Sequence, residues 1–155
     1  MKRDPALRNL SVDHHHALVL ARRASRVAAG EVDEPLDSLW TTVKEAFARE
    51  LGPHFATEET LLLPALRALG EVELVARTLD DHRRLRELIS DERDDVRDLL
   101  AQFGELLTEH VRFEERQLFE CAQQRLSPAQ LANIAEAGPH AVAACQVERD
   151  GSAKH

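Results

Sequence analysis

The sequence predicts an all-α fold: an antiparallel, up-down-up-down four-helix bundle followed by a short C-terminal helix. Three observations predict it. Apolar residues recur at 3.6-residue spacing over long stretches, and no segment shows the alternation of a half-buried strand. The strong helix formers Leu, Ala, Arg and Glu dominate, while Gly and Pro number six each among 155 residues, too few for a turn-rich β architecture. The connections between periodic stretches are short, which sets consecutive helices side by side.

The first helix reads from about Ser11 to Ala29, with Ser11 as its cap and Gly30 as its stop. The second reads from about Leu36 to Leu69 and ends at Gly70. Pro53 and Pro64 fall inside it and predict a kink or a local break. The third runs from near Glu71 to around Ser90, and the fourth from about Asp95 to Arg125. Ser127 and Pro128 then open a short fifth helix, as cap and first-turn residue, which Gly138-Pro139 closes. Residues 1–138 read as one bundle domain and 139–155 as a weakly ordered tail, with His140 and His155 in it.

A chain of this length can bury a core without staples, and 43% apolar with 31% charged residues is ordinary globular material. The net charge of −8 and the lack of a basic face argue against a nucleic-acid partner. The cluster Arg22, Arg23 and Arg26 reads as a solvated helix face. Cys121 and Cys145 form no CxxC pair, so a reducing compartment is expected. Cys121 reads as a buried structural thiol. No apolar run reaches signal-peptide or membrane-span length, which predicts a cytoplasmic protein with no membrane partner.

The eight histidines carry the functional signal. In the first helix, the apolar positions Leu10, Ala17, Leu18, Leu20, Ala21, Ala24, Val27 and Ala28 centre on one face. At about 100° per residue, His14 lies roughly 50° from its centre, His16 roughly 110° and His15 roughly 150°. Of this triplet, His14 points inward. The second helix has the inward stripe Trp40, Val43, Phe47, Leu51, His54, Glu58, Leu62, Ala65. The third has Val75, Leu79, His82, Leu85, Ile89. The fourth has Val96, Leu100, Phe103, Leu107, His110, Glu114, Leu118, Cys121. Twice, therefore, a His and a Glu four apart stand on an apolar face, in the similar strings HFATEETLLLP and HVRFEERQLFE.

Two buried carboxylates and four buried histidines need a partner, since an isolated buried ion costs several kcal/mol. A divalent metal offsets the desolvation of both donor types at once. Depth supports the grouping. Counted from a turn near residue 33, His14 is 19 back and His54 is 21 forward; from a turn near 70, Glu58 and His82 are each 12 away. The same argument places the third turn near residue 97, whereas periodicity places it at 90–95.

The order His14, His54-x-x-x-Glu58, His82, His110-x-x-x-Glu114, in the strings DHHHAL, HFATEE, DDHRRL and HVRFEE, resembles the hemerythrin-like, or HHE cation-binding, family over about residues 10 to 121. The resemblance implies two non-haem Fe ions bridged by the carboxylates of Glu58 and Glu114, with His14, His54, His82 and His110 as terminal ligands. Zn or Mn fits the same donors. Oxygen-carrying members place a second histidine one turn from the one on the third helix. Here those positions are Thr78 and Arg86, which leaves fewer nitrogen ligands and an open or water-filled coordination position. That argues against simple oxygen carriage and for reaction with, or sensing of, O2, H2O2 or NO. The alternative is an iron- or metal-holding module without turnover. A ferritin-like site would need Glu-x-x-His pairs, and no histidine here has Glu three residues before it.

Around these residues, Glu59 and Glu115 read as solvated or as hydrogen-bond partners of the ligands. Glu50 is a candidate extra ligand one turn before His54. Asp13, Asp80 and Asp81 precede histidines and read as surface residues able to cap or steer them. Trp40 reads as core.

Overall fold

The computed structural model describes residues 2–137. It is a bundle of five helices, with no strand among the described residues. Helix α1 is Arg8–Ala28, entered through a 3-10 turn at Pro5–Leu7. Helix α2 covers residues 36–68, α3 is Val72–Ile89, α4 covers residues 96–125, and α5 is Pro128–Glu136. The expected closure at Gly138-Pro139, the tail 139–155, and with it His140, Cys145 and His155, lie outside the described residues.

The first helix starts earlier than its composition suggested. Asp4 Oδ1 accepts a hydrogen bond from the Ala6 amide, and Pro5 follows at the first turn, so the cap is Asp4 and Ser11 sits inside α1. Gly30 and Gly70 end α1 and α2 with φ of +77° and +90°, the left-handed region that glycine enters without a Cβ penalty. Ser127 and Gln130 close a reciprocal capping box at the start of α5.

Neither proline breaks α2. The helix instead widens into π-turns at Phe47–Leu51 and Glu58–Leu62, in which Gly52 donates to the Phe47 carbonyl and Leu63 to the Glu58 carbonyl. Pro53 and Pro64 follow directly, where the missing amide and the bulky ring are accommodated by the looser turn. A third π-turn, Glu114–Leu118 in α4, has no proline near it. Proline is therefore not the common cause. The second and third π-turns share something else: each begins at a buried glutamate.

The apolar core falls into two clusters. One joins Ala17 to Val27 of α1, Leu39 to Phe55 of α2, Leu85 and Leu88 of α3, and Leu99 to Val111 of α4. The other joins Leu7 and Leu10, Leu62 to Leu66, Val75, Leu118 to Ala122, and Leu131 and Ile134 of α5. In each long helix the inward polar residues fall where one cluster gives way to the other. Trp40 is core, edge-on to Phe103. Helix α4 presses closely on α1 at Gly104, where a Cβ would overlap Ser25 Oγ and fall 2.8 Å from the Ala21 carbonyl oxygen.

Two expected inward positions are corrected. Leu79 is exposed, and Thr78 and Asp81 are buried in its place. Cys121 is only half-buried, packed against the edge of the second cluster. The third connection runs through residues 90–95, as periodicity has it and not at 97. Ile89 is seven residues past His82, while Val96 is fourteen residues before His110. At about 1.5 Å per residue the connection makes up roughly 10 Å, within reach of six extended residues.

Candidate metal centre

All six predicted residues meet at the middle of the bundle, each no more than 3% exposed. His14 comes from α1, His54 and Glu58 from α2, His82 from α3, and His110 and Glu114 from α4. In both His-x-x-x-Glu pairs the residues stand one above the other on the same helix face.

The carboxylates divide their oxygens between two groups. Glu58 Oε1 contacts His54 Nε2 and lies 3.9 Å from His14 Nε2, while Glu114 Oε2 is 2.7 Å from His14 Nε2. On the other side, Glu58 Oε2 is 3.3 Å from His82 Nε2, and Glu114 Oε1 is 2.8 Å from His110 Nε2 and 3.6 Å from His82 Nε2. Two four-residue groups result, each with its ligand atoms within 4.8 Å of one another: His14, His54, Glu58, Glu114 and Glu58, His82, His110, Glu114. Despite these close approaches, both oxygens of both glutamates, and Nε2 of His82 and of His110, make no hydrogen bond of good geometry. Buried polar atoms are rarely left so. A pair of cations, one in each group, satisfies them, so the residues present fit such an occupant.

The outer edges of the rings are not left free. His54 Nδ1 is 3.1 Å from Asp13 Oδ2, His82 Nδ1 is 3.3 Å from Glu59 Oε2, His110 Nδ1 is 3.1 Å from Asp81 Oδ2, and His14 Nδ1 is 2.8 Å from Glu115 Oε1. The four contacts run round the bundle as a closed ring: α1 holds a histidine of α2, α2 one of α3, α3 one of α4, and α4 one of α1. A carboxylate only accepts, so each ring donates from Nδ1 and turns Nε2 to the centre. Glu59 and Glu115 thus act as ligand partners. Asp81 is buried where a surface residue was expected, while Asp13 is half-buried, and each meets a histidine on the neighbouring helix. Asp80 is exposed and pairs with Arg83.

Electrostatics follow from this geometry. Burial opposes charge on the histidines, but the adjoining carboxylates outweigh it. Glu58 and Asp13 raise His54 to about 10. Glu114, Glu58 and Glu59 raise His82 to about 11. Glu114 and Asp81 raise His110 to about 9. His14 is raised through Glu114 and Glu115. Burial likewise works against an ionised Glu114, yet the histidines hold it well below the usual carboxylate range. Hydrogen bonds from His82, and against burial also from Arg86, lower Glu59 to about 2.

His15 and His16 are exposed, and so is Glu50, which faces Arg49 at 3.7 Å. None of the three joins the cluster. Of the positions one turn from His82, Thr78 is buried with its hydroxyl donating to the Leu74 carbonyl, and Arg86 turns away to Glu59. Each group therefore holds two imidazoles and two carboxylate oxygens.

A helical bundle whose four long helices enclose paired His and Glu donors defines a cation-binding protein. The hemerythrin HHE cation-binding domain model matches residues 6–122, and the chain belongs to that family. Comparison with curated proteins and with solved structures returned no match.

Proposed function

We propose that the protein is a non-haem di-iron protein, with Glu58 and Glu114 bridging the irons, His14 and His54 completing one site, and His82 and His110 the other. The division of each carboxylate between the two groups carries this reading. Iron suits a mixed imidazole and carboxylate shell, and Zn or Mn shares the donor set. An antiparallel up-down-up-down order is part of the proposal. It is supported by the core clusters, one drawn from the late parts of α1 and α3 with the early parts of α2 and α4, the other from the reverse.

Two imidazoles and two carboxylate oxygens leave open positions, as in two-histidine carboxylate iron sites that activate oxygen. Iron held there would supply redox capacity toward a small oxidant or gas, and O2, H2O2 or NO is the proposed partner. The chain's own residues fix the imidazoles through Asp13, Glu59, Asp81 and Glu115 and exclude bulk water by burial. The complete burial of Glu58, His82 and Glu114 also supports a second reading, a metal-holding module without turnover. No helix among the described residues is long and apolar enough to cross a membrane, and the proposed setting is the cytoplasm.

Metal analysis with visible spectroscopy tests both readings. The expected result is about two irons per chain, one for each ligand group, with a spectrum that changes on adding peroxide, oxygen or NO. A loaded protein whose spectrum ignores all three leaves only the holding module. Retention of both irons by Glu58→Ala would refute the ligand assignment.

A further inference from the structure

Two arginines from unrelated parts of the chain each reach a histidine through a carboxylate and a phenylalanine, Arg86 with both terminal nitrogens and Arg3 with Nη2, its Nη1 lying on Glu120 and Gln123. Arg3, ahead of α1, places Nη2 2.7 Å from Glu115 Oε2 and 2.8 Å from the Glu115 carbonyl oxygen. Glu115 in turn accepts from His14 Nδ1. The same guanidinium lies 5.5 Å from the Phe119 ring centroid, and Phe119 stacks on His14 at 5.0 Å and 12°. Arg86 grips Glu59 with both nitrogens, at 3.0 and 2.7 Å, and Glu59 accepts from His82 Nδ1. Arg86 also lies 5.7 Å from the Phe55 centroid, and Phe55 stacks on His82 at 3.8 Å and 13°.

Each clamp thus holds one imidazole by its edge, through a carboxylate, and by its face, through a phenylalanine. Phe55 is three residues before Glu58, whereas Phe119 is five after Glu114, so the likeness is no by-product of the repeated His-x-x-x-Glu-Glu string. The clamps also fall on different ligand groups, His14 in one and His82 in the other. The other two histidines lack one. Among the described residues Asp13 pairs with no arginine, Arg77 reaches Asp81 only at 3.4 Å, and Phe55 meets His54 and His110 edge-on.

We propose that Arg3 and Arg86 are positioning residues, one for each metal, that fix the His14 and His82 rings by this double hold. The proposal rests on the two-metal reading. An arginine fork suits the task because it is planar and pairs with a carboxylate while lying against an aromatic face. A lysine in its place keeps the charge and loses the fork.

The test is a Co2+ titration of the full chain, wild type against Arg3→Met, Arg86→Met and the two Arg→Lys variants. Circular dichroism checks the fold, and proton NMR follows the hyperfine-shifted exchangeable Nδ1–H signals of the bound histidines. Removing a group that holds a metal ligand's hydrogen-bond partner should weaken Co2+ about tenfold, the low end for outer-shell groups. Each Met variant should shift, and speed the exchange of, one Nδ1–H signal, a different one in each, and the Lys variants should restore it only in part. Met variants with wild-type affinity and exchange, or two variants disturbing the same signals alike, would overturn the clamp while leaving the two-metal reading intact. A wild-type chain that takes up no Co2+ would overturn both.

Discussion

Asp81 Oδ2 stands 3.1 Å from His110 Nδ1 across the gap between α3 and α4, and the two side chains are 4% and 1% exposed. The neighbouring Asp80 is 51% exposed and faces Arg83 instead. Two adjacent aspartates thus have opposite surroundings. Asp81→Asn keeps an acceptor and loses the charge that makes His110 a stronger donor to a metal. Affinity should fall by about 10- to 100-fold. Asp80→Asn should leave affinity unchanged. Competition against a chelator of known affinity measures both, and equal affinities for the two variants would refute the role given to Asp81.

That pair also marks how far the sequence could be read. His14, His54, Glu58, His82, His110 and Glu114 were legible because helix periodicity sets them on apolar faces, where an ionisable group needs a partner. The direction of α1 separated His14 from His15 and His16 in the same way. Asp81 shares the buried stripe of α3 with Thr78, Leu85 and Leu88, but its role was not legible, since its partner is a histidine 29 positions later on the next helix. The partners of Glu59 and Glu115 were hidden for the same reason: the ring of carboxylates runs between helices. Pro53 and Pro64 signalled local disruption, but whether a helix breaks or widens depends on packing that local chemistry does not encode. The N-terminus of α1 was misplaced because Ser11 is a plausible cap and the Asp4-Pro5 turn lies outside the apolar stripe.

Metal binding should release protons. Without metal, His54, His82 and His110 hold theirs to about 10, 11 and 9, so all three are charged at neutral pH. A metal takes the neutral imidazole. Loading at pH 7 should therefore expel about three or four protons per chain, His14 being raised as well, and affinity should climb with pH up to the 9–11 range. Calorimetry in buffers of different ionisation enthalpy counts the protons. A heat independent of buffer would contradict the charge state derived for the site.

The metal-free fold should carry the opposite pH signature. Histidines raised above their ordinary 6.5 stabilise it fully below that pH, and the stabilisation is lost as pH rises through about 9 to 11. Glu114, lowered from 4.5, contributes above that value and loses its contribution as pH falls. The metal-free Tm should peak between these limits and drop in alkali, while the loaded protein, whose imidazoles are already neutral, keeps its Tm. Removing metal by chelation should thus cost more at pH 9 than at pH 6. Thermal melts of both forms across this range decide it, and a gap that narrows toward alkali would count against the assignment.

Gly104 tests the packing that sets α4 against α1. Alanine favours a helix over glycine by about 1 kcal/mol, so on an open helix face Gly104→Ala would stabilise. Here the added Cβ overlaps Ser25 Oγ and comes within 2.8 Å of the Ala21 carbonyl oxygen. The serine can rotate, but the carbonyl belongs to α1 itself, so the helices must part. Overpacking of this kind costs ~1–3 kcal/mol, which exceeds the propensity gain over most of its range. Separation of α1 from α4 would also lengthen the 2.7 Å approach of His14 Nε2 to Glu114 Oε2, which joins the same two helices. Gly104→Ala should therefore lower both the Tm and the metal affinity, whereas Gly104→Ser should do so more severely. A Tm equal to or above that of the wild type would show that the two helices have slack at this contact.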